Sequence, residues 1–166
     1  MTIDTDRGPL LPAALPIPGL RFRPYAGEQD IPAMVELYRA VNQDFGVPEV
    51  WSVEQERNEL ANTTHIEPTQ DFIHAFVKDR LVATSWMEWA DTTDGQRLYR
   101  SRGWVHPEWR RRGIGAAMLA RNEARLTTLA TAHEHARTPA LMTWLEDEDA
   151  GGLALFAARG YQKVRV

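Results

Sequence analysis

Cysteine is absent from the 166 residues, which removes disulfides, thiolate metal sites and a cysteine nucleophile together. No apolar run approaches the roughly 20 residues that cross a bilayer as a helix. The apolar stretch at 10–20 is broken by Pro12, Pro16 and Pro18, and it follows Asp4 and Asp6 in place of a basic segment, so it does not read as a signal peptide. Excess positive charge is also missing. Lysine and arginine total 19 against 23 aspartates and glutamates, a net charge of −4. That balance argues against nucleic acid as the main partner, because phosphate binding needs a basic surface. What remains is an ordinary globular composition, 43% hydrophobic and 25% charged, of a size for one domain with a real core. The expectation is a soluble cytoplasmic protein with no membrane and no nucleic-acid partner.

Four prolines, Pro9, Pro12, Pro16 and Pro18, make residues 1–19 an extended leader and rule out regular helix there. The domain proper is expected over 20–166. A short strand is predicted at 20–23. Ile31, Met34, Val35, Tyr38 and Val41 recur at helical spacing and predict a helix over 29–43. Ser52 followed by Gln55 is a capping-box pattern that opens a second helix, to about residue 62. Residues 65–70 read as loop. Apolar, aromatic-rich runs at 71–78 and 81–90, separated by Asp79 and Arg80, read as a hairpin. A turn at 92–95 leads to a third strand, 96–105, which Pro107 stops. A helix is predicted from Gly113 to about residue 131, a strand at 140–145, an acidic loop at 146–149 and a helix at 150–159 ended by Gly160. An alternating segment at 161–166 reads as a last strand. The order β-α-α-β-β-β-α-β-α-β is that of an α/β chain with a mixed sheet.

The informative stretch is Trp104-Val105-His106-Pro107-Glu108-Trp109-Arg110-Arg111-Arg112-Gly113-Ile114-Gly115-Ala116. A strand ends, a turn follows and a helix opens near Gly113. The first turn of a helix has N–H groups without helical partners and carries the positive end of the dipole, so an anion binds there readily. Gly113 and Gly115 clear the backbone for a phosphate, and three arginines add charge. The site suits a pyrophosphate. The two familiar nucleotide loops are excluded, because neither G-x-x-x-x-G-K-S/T nor a G-x-G-x-x-G in a first βαβ unit is present.

This segment resembles the cofactor motif of the GNAT (GCN5-related) acetyltransferases, Arg/Gln-x-x-Gly-x-Gly/Ala within V-x-P-x-x-R-x-x-G-I-G. Val105, Pro107, Arg110, Gly113, Ile114 and Gly115 match it. Further on, Leu155-Phe156-Ala157-Ala158-Arg159-Gly160-Tyr161 resembles the family's L-Y-x-x-x-G-F, and Asp149 stands where the family often has Asn. The resemblance spans roughly 20–166 and implies a GNAT-like, mostly antiparallel mixed sheet flanked by helices. It also implies an acetyl-CoA site formed by Trp104, Val105, Arg110, Arg111, Arg112, Gly113, Ile114, Gly115, Ala116, Asp149 and Phe156. Pantetheine would lie in a V-shaped gap between the strands at 96–105 and 140–145, pairing with backbone near Trp104 and Val105. An amide N–H near Val105 would face the developing oxyanion.

One departure bears on catalysis. Transfer to an amine requires a proton to leave the nucleophile and one to reach the departing thiolate. The family's tyrosine at that position is here Phe156, which has none to give. Tyr99, in the strand before the motif, is the first substitute and Glu88 the second. His106 beside the loop and His74 between Phe72 and Phe76 read as surface and packed residues. His133 and His135 stand two apart and do not share a helical face, so no metal site is expected. Glu146 to Asp149, if they border the acceptor cleft, would favour a cationic amine. Trp86, Trp89, Trp104 and Trp109 gather near the expected centre.

The leading reading is an N-acetyltransferase that moves an acetyl group from acetyl-CoA to the amine of a small molecule or peptide. The alternative is a non-catalytic acyl-CoA-binding domain of a larger tandem acetyltransferase, and a third is a nucleotide-phosphate binder using the same loop. The strand at 161–166 would leave an unpaired edge inviting a homodimer or a second GNAT domain.

Overall fold

A computed structural model describes residues 10–48, 51–133 and 138–164. A five-stranded sheet has the order β1 (Leu20–Pro24), β2 (Ile73–Val77), β3 (Arg80–Asp91), β4 (Gln96–Val105) and β5 (Thr138–Met142). The first four strands are antiparallel neighbours, and β5 lies parallel to β4. Between β1 and β2 come α1 (Ile31–Asp44), α2 (Val53–Ala61) and the single turn α3 (Pro68–Asp71). Helix α4 (Ile114–Ala132) is the crossover from β4 to β5, and α5 (Ala150–Ala158) follows. The expected fold class is the one present.

Successive strand residues point to opposite faces, and each face has its own core. Against α1 pack Phe72, Phe76 and Leu81, with Trp86 and Trp104 at the margin, and α1 contributes Ile31, Met34, Val35, Leu37 and Val41. Against α4 pack Ile73, Ala75, Val82 and Ala83 with Ile114 and Met118, and further along Met87 and Tyr99 with Leu126. The leader is irregular over 10–19, as its prolines require, yet Leu15 and Ile17 pack on the α4-side core, and Arg121 on α4 donates to the Leu10 carbonyl at 2.8 Å.

The helix ends follow their local chemistry. The Ser52 side chain accepts from the Gln55 amide and the Gln55 side chain accepts from the Ser52 amide, closing the capping box. After α5 the Tyr161 amide returns to the Phe156 carbonyl and the Gly160 amide to Ala157, with Gly160 at φ 88°, a Schellman ending. Four expectations shift. The hairpin turn is Lys78–Asp79, because Val77 pairs with Arg80, and Lys78 takes φ 54°. Part of the stretch read as loop forms α3. β5 sits earlier than residues 140–145. Tyr161 to Val164 forms no strand, because no strand of the sheet pairs with it, and the Tyr161 amide is already engaged in the Schellman turn; residues 165–166 lie outside the described ones. Among the described residues the outer strand on that side is therefore β5, with Leu141 exposed on it and Trp144 exposed just after it.

One buried polar group on the α1 side responds to pH. His74 is fully buried, with Nδ1 2.9 Å from Thr84 Oγ1 and Nε2 3.7 Å from an Asp30 oxygen. Arg23 donates to both Asp30 oxygens at 2.8 and 2.6 Å. Burial pulls the His74 imidazole down from 6.5 to about 4, with Asp30 opposing. His74 is therefore neutral at pH 7. In the unfolded chain it titrates near its ordinary value, so between about pH 6.5 and pH 4 the unfolded state takes up the proton first and stability falls as the pH falls. Each tenfold difference in proton affinity corresponds to about 1.4 kcal/mol. Thermal melts should show Tm declining through that window, and His74→Gln, which titrates nothing, should flatten it. An equally steep decline in the variant would assign it to other groups.

Candidate active site

β4 and β5 pair only from Gln96↔Thr138 to Arg100↔Met142. β4 continues to Val105, while the chain after β5 leaves it, with the Thr143 hydroxyl donating to the Ser101 carbonyl at 2.7 Å as the last link. On the other side of β4 the ladder to β3 is regular. The Thr92 amide donates to Gln96 at 2.9 Å and the His106 amide to Val82 at 2.8 Å. In an antiparallel pair such bonds alternate, so even-numbered residues of β4 turn their backbone groups to β3 and odd-numbered ones turn them toward β5. Past Ser101, the groups of Gly103 and Val105 face the gap. Trp104, read from sequence as a backbone partner for a ligand, gives its own groups to Thr84 on β3. Gly103, which sequence reasoning passed over, is the residue whose backbone groups turn to the gap beside it. The signal was a lone glycine inside a strand. Gly103 stands opposite Ser85, where an added Cβ would lie 2.8 Å from the Ser85 Cβ and 2.9 Å from the Thr84 carbonyl oxygen.

The gap opens into a cavity of about 930 Å³, walled by β4 from Ser101 to Val105, the start of α4 and the start of α5. At the head of α4, Arg111 adopts φ 62° and Gly113 φ 85°, both left-handed. A Cβ at Gly113 would meet only Leu15 at 3.5 Å, so the backbone conformation, not space, favours glycine there. As N-cap, Gly113 offers no side chain to the first-turn amides of α4. At Gly115 a Cβ would rest at 3.6 Å on Leu155 and Val105.

The three arginines have three different settings. Arg110 donates to Asp44 at 2.5 Å and to the Val105 carbonyl at 3.2 Å and lies over the Phe45 ring, so it ties the loop to the end of α1. Arg112 folds back over Trp109 and donates to the Glu108 carbonyl. Arg111 is exposed on the cavity wall, with no hydrogen bond or ion pair among the described residues. Trp104, Val105, Arg110, Gly113, Ile114, Gly115, Ala116, Asp149 and Phe156 also line the cavity; Arg112 does not. Asp149 is engaged as N-cap of α5, accepting from the Gly152 amide at 2.8 Å.

Neither expected acid–base residue is on this wall. Tyr99 is 1% exposed in the α4-side core, and its hydroxyl lies 2.8 Å from His133 Nδ1. Glu88 projects from the α1 side between Arg100 and Arg102, 3.5 and 4.0 Å from their nearest nitrogens. The wall has other hydroxyls, which sequence reading did not single out. Asn122, wholly buried on α4, directs its amide Nδ2 toward Ser101 Oγ at 3.0 Å and Ser85 Oγ at 3.3 Å, and Arg121 donates to its Oδ1 at 2.9 Å, fixing the sense of the amide. Ser85, Ser101 and Asn122 all line the cavity. Of the tryptophans, Trp104 and Trp109 line it, Trp86 stacks on Phe72, and Trp89 stacks on His65 beyond its edge. His106 caps the turn after β4, and His135 lies outside the described residues. No group of three metal-ligating side chains occurs among the described residues, and no helix there is long and apolar enough to cross a membrane.

The sequence profile of the Acetyltransferase (GNAT) family matches residues 32–161, and the chain belongs to that family. Among solved structures it is similar to a GCN5-related N-acetyltransferase from Sphaerobacter thermophilus, with TM-score 0.74 and 19% identity over 92% of this chain. The chain spans 46% of that protein's length. It is also similar to an aminoglycoside acetyltransferase from an uncultured soil metagenomic sample, with TM-score 0.63 and 16% identity over 89% of this chain and 93% of that one. A predicted acetyltransferase from Clostridium acetobutylicum, solved with acetyl-CoA, gives TM-score 0.58 and 20% identity over 87% of this chain and 91% of that one. These likenesses are of fold. No protein of curated function matches the sequence significantly.

The narrow approach at Gly103 makes a stability prediction. Gly103→Ala places a methyl group against Ser85 and the Thr84 carbonyl, and it should destabilise the domain by about 1–3 kcal/mol, as overpacking does. Denaturant unfolding would read this as a lowered midpoint. An unchanged midpoint would show that β3 and β4 part easily there.

Proposed function

We propose that this chain is an N-acetyltransferase that takes an acetyl group from acetyl-CoA and delivers it to the amine of a small molecule or peptide, with residues 20–166 as the acyltransferase unit. The observation that carries the reading is the parting of β4 from β5. It leaves the backbone groups of Gly103 and Val105 facing a cavity that reaches the uncapped start of α4. Acetyl-CoA supplies an acyl group activated as a thioester.

The chain's own residues supply the rest. The first-turn amides of α4, with Arg111 beside them, suit a pyrophosphate. Arg110 positions that loop through Asp44 and Val105. With the Val105 carbonyl held by Arg110, the groups of Gly103 and the Val105 N–H offer an extended ligand part of the ladder that β5 gives up, and the Val105 N–H is placed to donate to an oxygen gaining negative charge. Phe156 cannot protonate a departing sulfur. The two protons of the Asn122 amide are divided among Ser101 Oγ at 3.0 Å, the Trp86 carbonyl at 3.2 Å and Ser85 Oγ at 3.3 Å, and a serine that accepts one of them keeps its own proton to give. These two hydroxyls take the role that the sequence suggested for Tyr99.

A second reading keeps the binding and drops the chemistry: an acyl-CoA-binding domain of a larger tandem acetyltransferase. Phe156 favours it, as does the likeness to a protein about twice this length.

Two substitutions test the assignment. Gly113→Asp brings a carboxylate to the anion site in a residue that tolerates left-handed backbone. It should weaken acetyl-CoA binding about tenfold or more by calorimetry, whereas Gly113→Asn, neutral and of the same shape, should weaken it less. Equal losses would point to strain alone, and no loss in either variant would remove the loop from the site. Ser101→Ala should lower kcat about tenfold or more while leaving the affinity for acetyl-CoA unchanged, the mark of a group acting in the transition state. Tyr99→Phe should leave kcat near that of the natural chain. The reverse pattern would restore Tyr99 as the acid.

A further inference from the structure

Beyond the pyrophosphate loop, the cavity has a second positive place that is short of acceptors. Arg100 and Arg102, alternate residues of β4, project on the face turned to α1 and α2, the face of Trp104. One oxygen of Glu88 serves both, 3.5 Å from Arg100 Nη1 and 4.0 Å from Arg102 Nε. The first distance is at the outer limit of a hydrogen bond and the second lies beyond it. The Nε atoms of both arginines are buried without any acceptor, and no other carboxylate pairs with either among the described residues. Such buried, unmet donors call for a partner that the chain itself does not provide. Arg110 on the same cavity wall shows the contrast, since Asp44 and the Val105 carbonyl satisfy it.

Arg102 lines the cavity and its side chain is 38% exposed. It stands three residues before Val105, about 10 Å back along the strand at roughly 3.3 Å per residue. It is therefore set apart from the start of α4, and the two positive places call for two anions. Val41, Phe45 and Trp104 flank the same wall with apolar surface, and the exposed carboxylate of Glu148 lies on the α5 side of the cavity.

We propose that the acceptor is an amino acid or a related amino-carboxylate with an apolar body, and that Arg102, backed by Arg100, receives its carboxylate. The inference rests on the acetyltransferase reading and narrows it to a substrate class. A guanidinium with its fork free matches a carboxylate with two parallel hydrogen bonds, which a lysine at that position cannot reproduce. Glu88 then acts as a positioning residue that holds the two guanidinium groups at one place.

The test compares phenylalanine, phenylalanine amide and phenethylamine as acceptors with saturating acetyl-CoA, together with calorimetric binding of phenylalanine to the CoA-loaded protein. The expected result is a kcat/KM at least tenfold higher for phenylalanine than for either neutralised analogue. Arg102→Gln should collapse that ratio to within about threefold, and Arg102→Lys should restore part of it. Calorimetry should show phenylalanine binding weakened at least tenfold in Arg102→Gln. Equal or better use of phenethylamine, or a ratio unmoved in Arg102→Gln, overturns the proposal. If no amine is turned over, the calorimetric arm decides, and absence of phenylalanine binding at millimolar concentration overturns it. Loss of CoA binding in the natural protein would instead sink the acetyltransferase reading, so the two failures are told apart.

Discussion

The parting of one parallel strand pair after five residues governs the rest of the molecule. A parallel ladder that continued to Val105 would satisfy every backbone group of β4 and leave a closed sheet. Pairing stops at Arg100↔Met142, and beyond it only side chains reach the gap side of β4, the Thr143 hydroxyl at the Ser101 carbonyl and Arg110 at the Val105 carbonyl, so this half of the strand has no backbone partner there. Backbone groups are obligatory hydrogen-bonding groups, so this half-strand is a template waiting for an extended partner. The helices to either side inherit their places from it. α4 starts where β4 ends, and α5 starts after the diverging chain, so the two helix openings face one another across the gap.

Much of this was legible along the chain because local chemistry fixes it. Ser52 with Gln55, Gly113 and Gly160 mark helix ends whose hydrogen bonds close within a few residues, and the limits of β4 lie between a turn and Pro107. The loop between β4 and α4 was legible for the same reason, as a strand end, a left-handed glycine and a helix start in sequence. What could not be read depends on distant partners. Alternation in 161–164 describes a strand but not whether a neighbour is there to receive it, and no strand of the sheet does. Tyr99 and Arg100 differ by one position, yet one enters the α4-side core and the other the α1 face, and periodicity alone does not say which face meets ligand. The serine–asparagine cluster joins residues from β3, β4 and α4, and no short-range pattern announces it.

The arginine run shows why charge in a sequence is not charge at a site. Arg110 is extended and reaches Asp44, 66 residues away, whereas Arg111 is left-handed and has no partner among the described residues. The two neighbours differ in backbone region, and only the first finds a carboxylate. The family motif's arginine thus serves as a brace, and the residue after it keeps its charge on the cavity wall. The same distinction applies on β4, where Glu88 is shared between two guanidinium groups and leaves positive charge unbalanced.

The leader has a topological consequence. Residues 10–19 run along α4, with Leu10 held by Arg121 and Leu15 against Gly113, before the chain turns into β1. α4 covers one face of the sheet, and Arg102 and Trp104 project from the other. A fusion partner or affinity tag joined directly ahead of Leu10 would therefore enter on the α4 side of the sheet, away from the face of Arg102 and Trp104. It would adjoin the loop before α4 instead, since Leu15 lies against Gly113.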